Sequence, residues 1–309
     1  MGRLDGRVAI VTGAGRGLGR AHALALAAAG AAVVINDKGA ALDGSGTTVG
    51  PAEEVVAEIR AAGGRAVASA HDVADWQQAR AMIDLAVASF GDLHVLVNNA
   101  GILRDRTLAN LAEEEWDAVL RVHLKGHAAP TRHAMGYWRD RAKAGHAVAA
   151  SVVHTSSVAA FTGNFGQAAY SAAKLAVLAL SRTVALEGAK IGVRSNAVSP
   201  SARTRFTEGM GGLPPPTGDF DPRDPANVSP LVAWLAEAAC PANAQVFQVY
   251  GNRLFVFTMP AIAHELVTAG RWTAEALDTA LAGRLVAHPT VEELLARFRP
   301  PEPAPAGGG

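Results

Sequence analysis

The stretch that decides the architecture is Val8-Ala9-Ile10-Val11-Thr12-Gly13-Ala14-Gly15-Arg16-Gly17-Leu18-Gly19. A short apolar run breaks into alternating glycines, and an Ala/Leu stretch of helical period follows. Glycines there let the backbone turn sharply and approach a pyrophosphate, whose charge is met by free N–H groups and the dipole at the helix N-terminus. Read alone, the string also suits a plain strand-to-helix turn. Its surroundings narrow the choice: a second apolar run ends at Asp37, about twenty residues beyond the glycines, where a carboxylate can accept hydrogen bonds from adenosine ribose hydroxyls.

Working outward, short β-branched runs alternate with longer Ala/Leu-rich stretches, the pattern of repeated βαβ units in a parallel sheet. Strands are expected at Val8–Val11, Val33–Asn36, Ala66–Ser69, Val95–Val97, Val152–Thr155, Val193–Val198 and Val246–Val249. Helices should begin near Gly17, Pro51, Asp75, Glu114, Gln167 and Ala226. Near-continuous apolar strands fit a sheet covered on both faces. The fold class is therefore α/β, a doubly wound parallel sheet of Rossmann type in a single domain over residues 1–255. A C-terminal helical extension is expected over 256–299, and a Pro/Ala/Gly tail over 300–309 that cannot bury a core. Two other segments break the rhythm. Residues 39–50, rich in Gly, Ser and Thr, make a long connection that could fold over a cofactor, and residues 208–225, rich in Gly and Pro, sit where a substrate lid would lie.

Bulk composition excludes several classes. Lys+Arg balances Asp+Glu at 28 each in 309 residues, so no global field favours nucleic acid or an anionic membrane. One cysteine, Cys240, permits no internal disulfide and no thiolate metal cluster, which suits a reducing setting. The N-terminal residues show no secretory pattern, and the apolar stretches are interrupted before a bilayer would be spanned. A soluble, cytoplasmic protein acting on a small molecule is the expectation, with no metal, because the histidines lack metal-ligand spacing.

A second constellation carries chemistry. Tyr170 and Lys174 are one helical turn apart and share a helix face, and Ser157 lies just past the fifth strand, where open α/β sheets place their sites. A phenol near pKa 10 is a poor base at neutral pH, but a nearby ammonium and an oxidised nicotinamide both favour phenolate. Lowering its pKa by about three units takes roughly 4 kcal/mol. Tyr170 would then exchange the proton of a secondary alcohol while hydride passes between carbon and nicotinamide, with Ser157 bonded to the same oxygen. Asp37 favours NAD, because a 2'-phosphate about 4 Å away would be repelled by roughly 4 kcal/mol per unit charge at a dielectric near 20. Arg16 argues the other way, since its guanidinium could pair with that phosphate, but it is expected to be mobile and solvated.

Taken together, Thr12 to Gly19, Asp72-Val73, Asn98-Asn99-Ala100-Gly101, Ser157, Tyr170 and Lys174 resemble the short-chain dehydrogenase/reductase family over about residues 4–252. A closer resemblance lies in Asn36-Asp37, NNAGILRDR (98–106), RVHLKG (121–126) and GNFGQAAYSAAK (163–174). These strings are similar to the dehydrogenase unit of peroxisomal multifunctional enzyme type 2 and its stand-alone bacterial relatives. The resemblance implies Ser157, Tyr170 and Lys174 as catalytic residues. It implies a cofactor site of Gly13, Arg16, Gly17, Leu18, Gly19, Asp37, Asp72, Val73, Asn99, Ala100, Gly101 and Pro200, completed by Tyr170 and Lys174. Asp72 and Val73 would hold adenine, Asn98 and Ala100 would line the ribose path, and Lys174 would bind the nicotinamide ribose.

The implied reaction is NAD-dependent interconversion of a 3-hydroxyacyl-CoA and its 3-ketoacyl-CoA, with a steroid side-chain CoA as one possible substrate. A free hydroxysteroid or other small alcohol, or a non-catalytic dinucleotide-binding sensor or scaffold, are the alternative readings. A homodimer or homotetramer is implied by family habit. His123 stands where the family often has Asn, and either proton relay or helix packing would account for it. Pro200-Ser201 replaces the usual Pro-Gly, and no hydratase or sterol-carrier domain follows. Arg104, Arg106, Arg203 and Arg205 flank the expected mouth as CoA-phosphate partners or as solvated surface. The amphipathic spacing of Trp272, Leu277, Leu281 and Leu285 covers the chain's own subunit, the cleft or a partner.

Overall fold

A computed structural model of the chain describes residues 2–41, 43–46, 50–203, 220–258, 263–268, 271–286, 288–290, 293, 294 and 296. Most of the expected substrate lid (208–225), Arg205 and the tail 300–309 lie outside them. The first five strands are β1 (Val8–Thr12), β2 (Ala32–Asn36), β3 (Arg65–Ser69), β4 (Val95–Asn98) and β5 (Ala150–Thr155). They are followed by β6 (Val193–Ser201), β7 (Val246–Tyr250) and β8 (Arg253–Phe257), all in one sheet of order β3-β2-β1-β4-β5-β6-β7-β8. Every neighbouring pair is parallel except β7 with β8. Strands such as Val-Ala-Ile-Val-Thr in β1 are buried at every residue, which only a sheet covered on both faces allows.

Two layers of helix supply the cover. On one side Leu26 of α1 (Gly17–Ala28), Val55 and Ile59 of α2 (Gly50–Ala61) and Val232 and Leu235 of α8 (Ser229–Leu235) pack on Val11, Val33 and Val97. On the other, Met82 and Ile83 of α3 (Trp76–Phe90) and Trp138 of α5 (Gly126–Lys143) pack on Ile10, Val34, Leu96 and Val152. Val184 of α7 (Ala168–Gly188) joins this second layer. The elements α4 (Glu113–Leu120) and α6 (Ala159–Thr162) complete the series before α7, and α9 (Ala274–Leu281) lies in the extension. Asp75 caps α3 by accepting from Gln77 and Gln78 N–H, and Gly91 closes it at φ 87°.

Four features depart from the sequence reading. A single turn of π-helix, Arg121–Lys125, joins α4 to α5, and Pro130 sits inside α5. β6 runs on to Ser201, so Pro200 pairs with Val249 within the sheet. The segment Arg253–Phe257, which straddles the expected domain end, forms an antiparallel hairpin strand after the Gly251-Asn252 turn. Among the described residues the segment Ala168–Ile191 is long and apolar enough to cross a membrane, with mean hydropathy 1.2, contrary to the expectation that no stretch would be. Its Ala173, Val177, Leu178 and Val184 are buried in the protein, and it carries Tyr170 and Lys174.

Candidate active site

The strand ends converge at β1 and β4, where the connections diverge to opposite sides and a crevice opens. A cavity of about 270 Å³ there is lined by Gly13, Arg16, Gly17, Leu18, Asp37, Asp72, Val73, Asn99, Ala100 and Gly101, ten of the residues expected to hold the cofactor. Gly13 and Gly17 take φ of +63° and +53°, which L side chains rarely adopt. A Cβ on Gly19 would overlap the Gly13 carbonyl oxygen, so Gly19 works from behind the turn. Arg16 immediately precedes helix α1 and its side chain makes no capping bond, so the first-turn N–H groups stay available to an anion. Asn99 locks this turn in place, donating to the carbonyls of Thr12 at 3.0 Å and Gly13 at 3.2 Å. The Thr12 hydroxyl accepts from the N–H groups of Asn99 and Ala100.

Asp37 ends the second strand with Oδ2 accepting from Gly15 N–H at 2.8 Å and Oδ1 from Gly39 N–H at 2.7 Å. Its carboxylate is thereby fixed at the rim with lone pairs left for ribose hydroxyls. Asp72 is held by Ala74 N–H at 2.9 Å, Arg121 at 3.0 Å and Lys38 at 3.5 Å. Burial opposes its charge, but these donors and cations together hold its carboxyl below the usual range. Lys38 and Arg121 line the cavity and escaped the sequence reading, though Lys38 adjoins Asp37. The connection after β2 does fold over the cavity: Ala40, Ala41, Asp43 and Gly44 line it, and Arg104 Nε donates to the Asp43 carbonyl at 2.9 Å. A turn with no room for a Cβ at Gly13 or Gly19, an uncapped helix start and a rim carboxylate together fit a dinucleotide.

Ser157, Tyr170 and Lys174 come together just beyond this cavity. Ser157 is close enough to Tyr170 to favour its phenolate, and Lys174 Nζ lies 5.6 Å from the Tyr170 ring centre. Lys174, only 2% exposed, donates to the Thr155 carbonyl at 2.6 Å. Burial drops its ammonium to about pKa 7. The Tyr170 phenol moves opposite to the sequence expectation: burial pushes it up to about 12, Ser157 counteracts this, and the charge of Asp105 adds to it. Burial wins because Lys174 points to a backbone oxygen, so without a bound cation Tyr170 is a phenol ready to donate. Asp105 is itself held by Gln167 Nε2 at 2.9 Å, a contact missed from sequence because 62 residues separate the pair.

His123 occupies the π turn, is 1% exposed and stands edge-on to Tyr170, with ring centres 5.1 Å apart. Its Nε2 lies 2.8 Å from the Ile102 carbonyl and its ring rests on Gly101, where a Cβ would meet Cε1 at 2.5 Å. Burial, aided by the Lys174 charge, lowers its pKa to about 3, so it is neutral. Asn98 departs from the expected ribose path: it is fully buried and donates to Thr131 Oγ1 at 2.9 Å. Pro200 lies outside the cavity lining. Arg106 pairs with Glu115 at 3.3 Å and Arg203 with Asp221 at 3.5 Å. No cluster of metal-ligating side chains occurs among the described residues.

A crevice of this form beside a Ser-Tyr-Lys set defines an oxidoreductase acting on CH–OH groups, and the chain belongs to the short-chain dehydrogenase/reductase family, which binds NAD(P). The family described as short chain dehydrogenase matches residues 7–210. The chain is similar to hydroxyacyl-CoA dehydrogenase ChsB1 of Mycobacterium tuberculosis, 43% identical over 262 residues that cover 83% of this chain and 81% of that one. Peroxisomal multifunctional enzyme type 2 of Mus musculus is 43% identical over 247 residues, 80% of this chain but 32% of the mouse protein. The crystal structure of a short chain dehydrogenase from Mycobacterium avium superposes with a TM-score of 0.84 at 48% identity, covering 94% of this chain and 99% of that one.

Proposed function

We propose that the protein is an NAD-dependent dehydrogenase interconverting a 3-hydroxyacyl-CoA and its 3-ketoacyl-CoA, a steroid side-chain CoA being one candidate substrate. The observation that carries the reading is the gathering of Ser157, Tyr170 and the buried Lys174 at the open end of a dinucleotide crevice. The likeness to a relative named hydroxyacyl-CoA dehydrogenase supports the thioester class. NAD rather than NADP follows from Asp37, whose carboxylate is pinned at the rim by two backbone N–H groups and cannot swing away from a 2'-phosphate. A cytoplasmic setting is consistent with the single buried free cysteine.

When bound, the nicotinamide supplies the hydride acceptor or donor. The chain's own residues do the rest. Ser157 and Tyr170 both reach the position of the reacting oxygen, Ser157 fixing it and Tyr170 moving its proton. In the ketone-to-alcohol direction Tyr170 donates from the phenol state it already holds. In the reverse direction it must first lose its proton, and going from about 12 to near 7 takes roughly 7 kcal/mol of added positive charge close by. Absorbance at the reduced-nicotinamide band, read with 3-hydroxyacyl-CoAs of both hands and with free hydroxysteroids, tests the substrate class. Highest kcat/KM on a thioester with NAD is expected. Preference for a free alcohol defeats the thioester reading, and turnover surviving in Tyr170→Phe defeats the mechanism.

A further inference from the structure

Between α6 and α7 the turn Gly163-Asn164-Phe165-Gly166 carries Phe165 at 90% exposure, more than any other large apolar side chain among the described residues. One exposed apolar residue is ordinary on a protein surface. Phe165 differs in how firmly the chain presents it. Gly163 and Gly166 take φ of +66° and +76°, the left-handed region that favours glycine, and fold the turn around the two residues between them. The Asn164 amide donates to Gln167 Oε1 at 2.8 Å, and Gln167, 5% exposed, donates in turn to Asp105 Oδ2 at 2.9 Å. The Arg106 N–H donates to the Gly166 carbonyl at 2.8 Å, and Arg106 pairs with Gln167 in a parallel bridge. Every one of these bonds is made by other residues, so the frame holds an aromatic ring out in water without using it.

That frame stands beside the reacting groups. Gln167 lies three residues before Tyr170, at the start of α7, and the charge of Asp105, at the far end of the Gln167 bond, is felt at Tyr170. In a parallel bridge both segments run the same way. Two residues upstream of it stand Phe165 on one segment and Arg104 on the other, and Arg104 lines the dinucleotide cavity. Phe165 is thus on the cavity side of the bridge, and Leu108, 71% exposed, is on the opposite side. A 3-hydroxyacyl thioester with its carbinol oxygen at Tyr170 sends two groups out of the site, the CoA arm with its phosphates and the apolar chain beyond the carbinol carbon. An uncharged ring suits the chain, which sheds water against it. Because the turn is already fixed, little freedom is lost when the ring is covered.

We propose that Phe165 is a specificity-determining residue, an apolar bar at the rim of the active site against which the substrate's acyl chain lies beyond its carbinol carbon. The contact grows with the chain, so long or ring-bearing acyl groups are favoured over short ones. The inference rests on the 3-hydroxyacyl-CoA reading of the same site.

Absorbance at the reduced-nicotinamide band reads kcat/KM for 3-hydroxydodecanoyl-CoA and 3-hydroxybutyryl-CoA. The ratio of the first to the second should fall about tenfold in Phe165→Ala, the loss expected when a ring's apolar contact is withdrawn, and Phe165→Leu should recover most of it. Leu108→Ala should keep the wild-type ratio within about twofold. A Phe165→Ala ratio within about twofold of wild type, or an equal fall in Leu108→Ala, refutes the contact. Calorimetry with dodecanoyl-CoA and butyryl-CoA, which carry no hydroxyl to oxidise, reads the same ratio in affinity without turnover, and an unchanged ratio there refutes the contact as well. Wild-type turnover of free alcohols alone overturns the 3-hydroxyacyl-CoA reading, while the calorimetric ratio still decides the contact at Phe165. Sedimentation velocity should give wild type and Phe165→Ala the same mass; dissociation of the variant assigns the ring to an interface with a second copy and refutes the proposal.

Discussion

Replacing Lys174 by Met should make the folded protein more stable at neutral pH while removing turnover. Burial lowers the Lys174 pKa from 10.5 to about 7. The unfolded chain therefore binds more protons between those values, so wild-type stability rises with pH across that window. The penalty is fully present below pH 7, stands at about 4 kcal/mol at pH 7 and is mostly gone by pH 10. Met removes the penalty but loses the charged bond to the Thr155 carbonyl, which is worth roughly 1.5–3 kcal/mol. The net gain at pH 7 is thus about 1–3 kcal/mol, or roughly 2–6 °C in Tm at about 2 °C per kcal/mol. The sign should reverse near pH 9. Urea unfolding of both proteins at pH 6, 7, 8 and 10, followed by circular dichroism, measures the difference. A variant less stable than wild type at pH 6, or a gap that does not change with pH, would refute the account of Lys174 as a cation held in place at the expense of stability.

Three further outcomes are expected. His22, His123 and His154 have pKa values lowered to about 4, 3 and 3, so their contribution is intact above pH 6.5 and is lost as pH falls towards 3, each by about 2 kcal/mol at pH 5. His22→Gln should remove about 2 kcal/mol of the stability difference between pH 7 and pH 5, and an unchanged difference in urea midpoints would count against it. Gly19→Ala drives a methyl into the Gly13 carbonyl and should destabilise by about 1–3 kcal/mol while abolishing NAD binding in calorimetry. Arg104→Ala frees the loop that roofs the cavity, and NAD dissociation in stopped flow should quicken a few-fold, about 0.5–1 kcal/mol for a half-exposed contact.

Much of this was legible in the chain because the signals were local. The β-branched runs located seven strands, and the i, i+4 spacing of Tyr170 and Lys174 placed them on one face of α7. The glycine string and Asp37 located the crevice. What escaped was of two kinds. β8 was missed because no strand was expected between Val249 and the helical extension placed from residue 256, although Gly251-Asn252 followed by Arg-Leu-Phe-Val-Phe, with burial alternating along it, is a hairpin pattern. The direction of the Tyr170 pKa, the Gln167 bond to Asp105 and the placing of His123 against Tyr170 depend on packing between distant segments. Spacing along the chain carries no trace of them.

The seat of the His123 ring on Gly101 ties two positions together that lie 22 residues apart in the chain. A larger residue at 101 finds room only if 123 becomes smaller, and a wider ring at 123 has nothing below it to displace. Among homologous chains the pair should therefore drift in concert, so that the identity at one predicts the bulk tolerated at the other. Laboratory recombination that takes the two from different parents should yield poorly folded offspring.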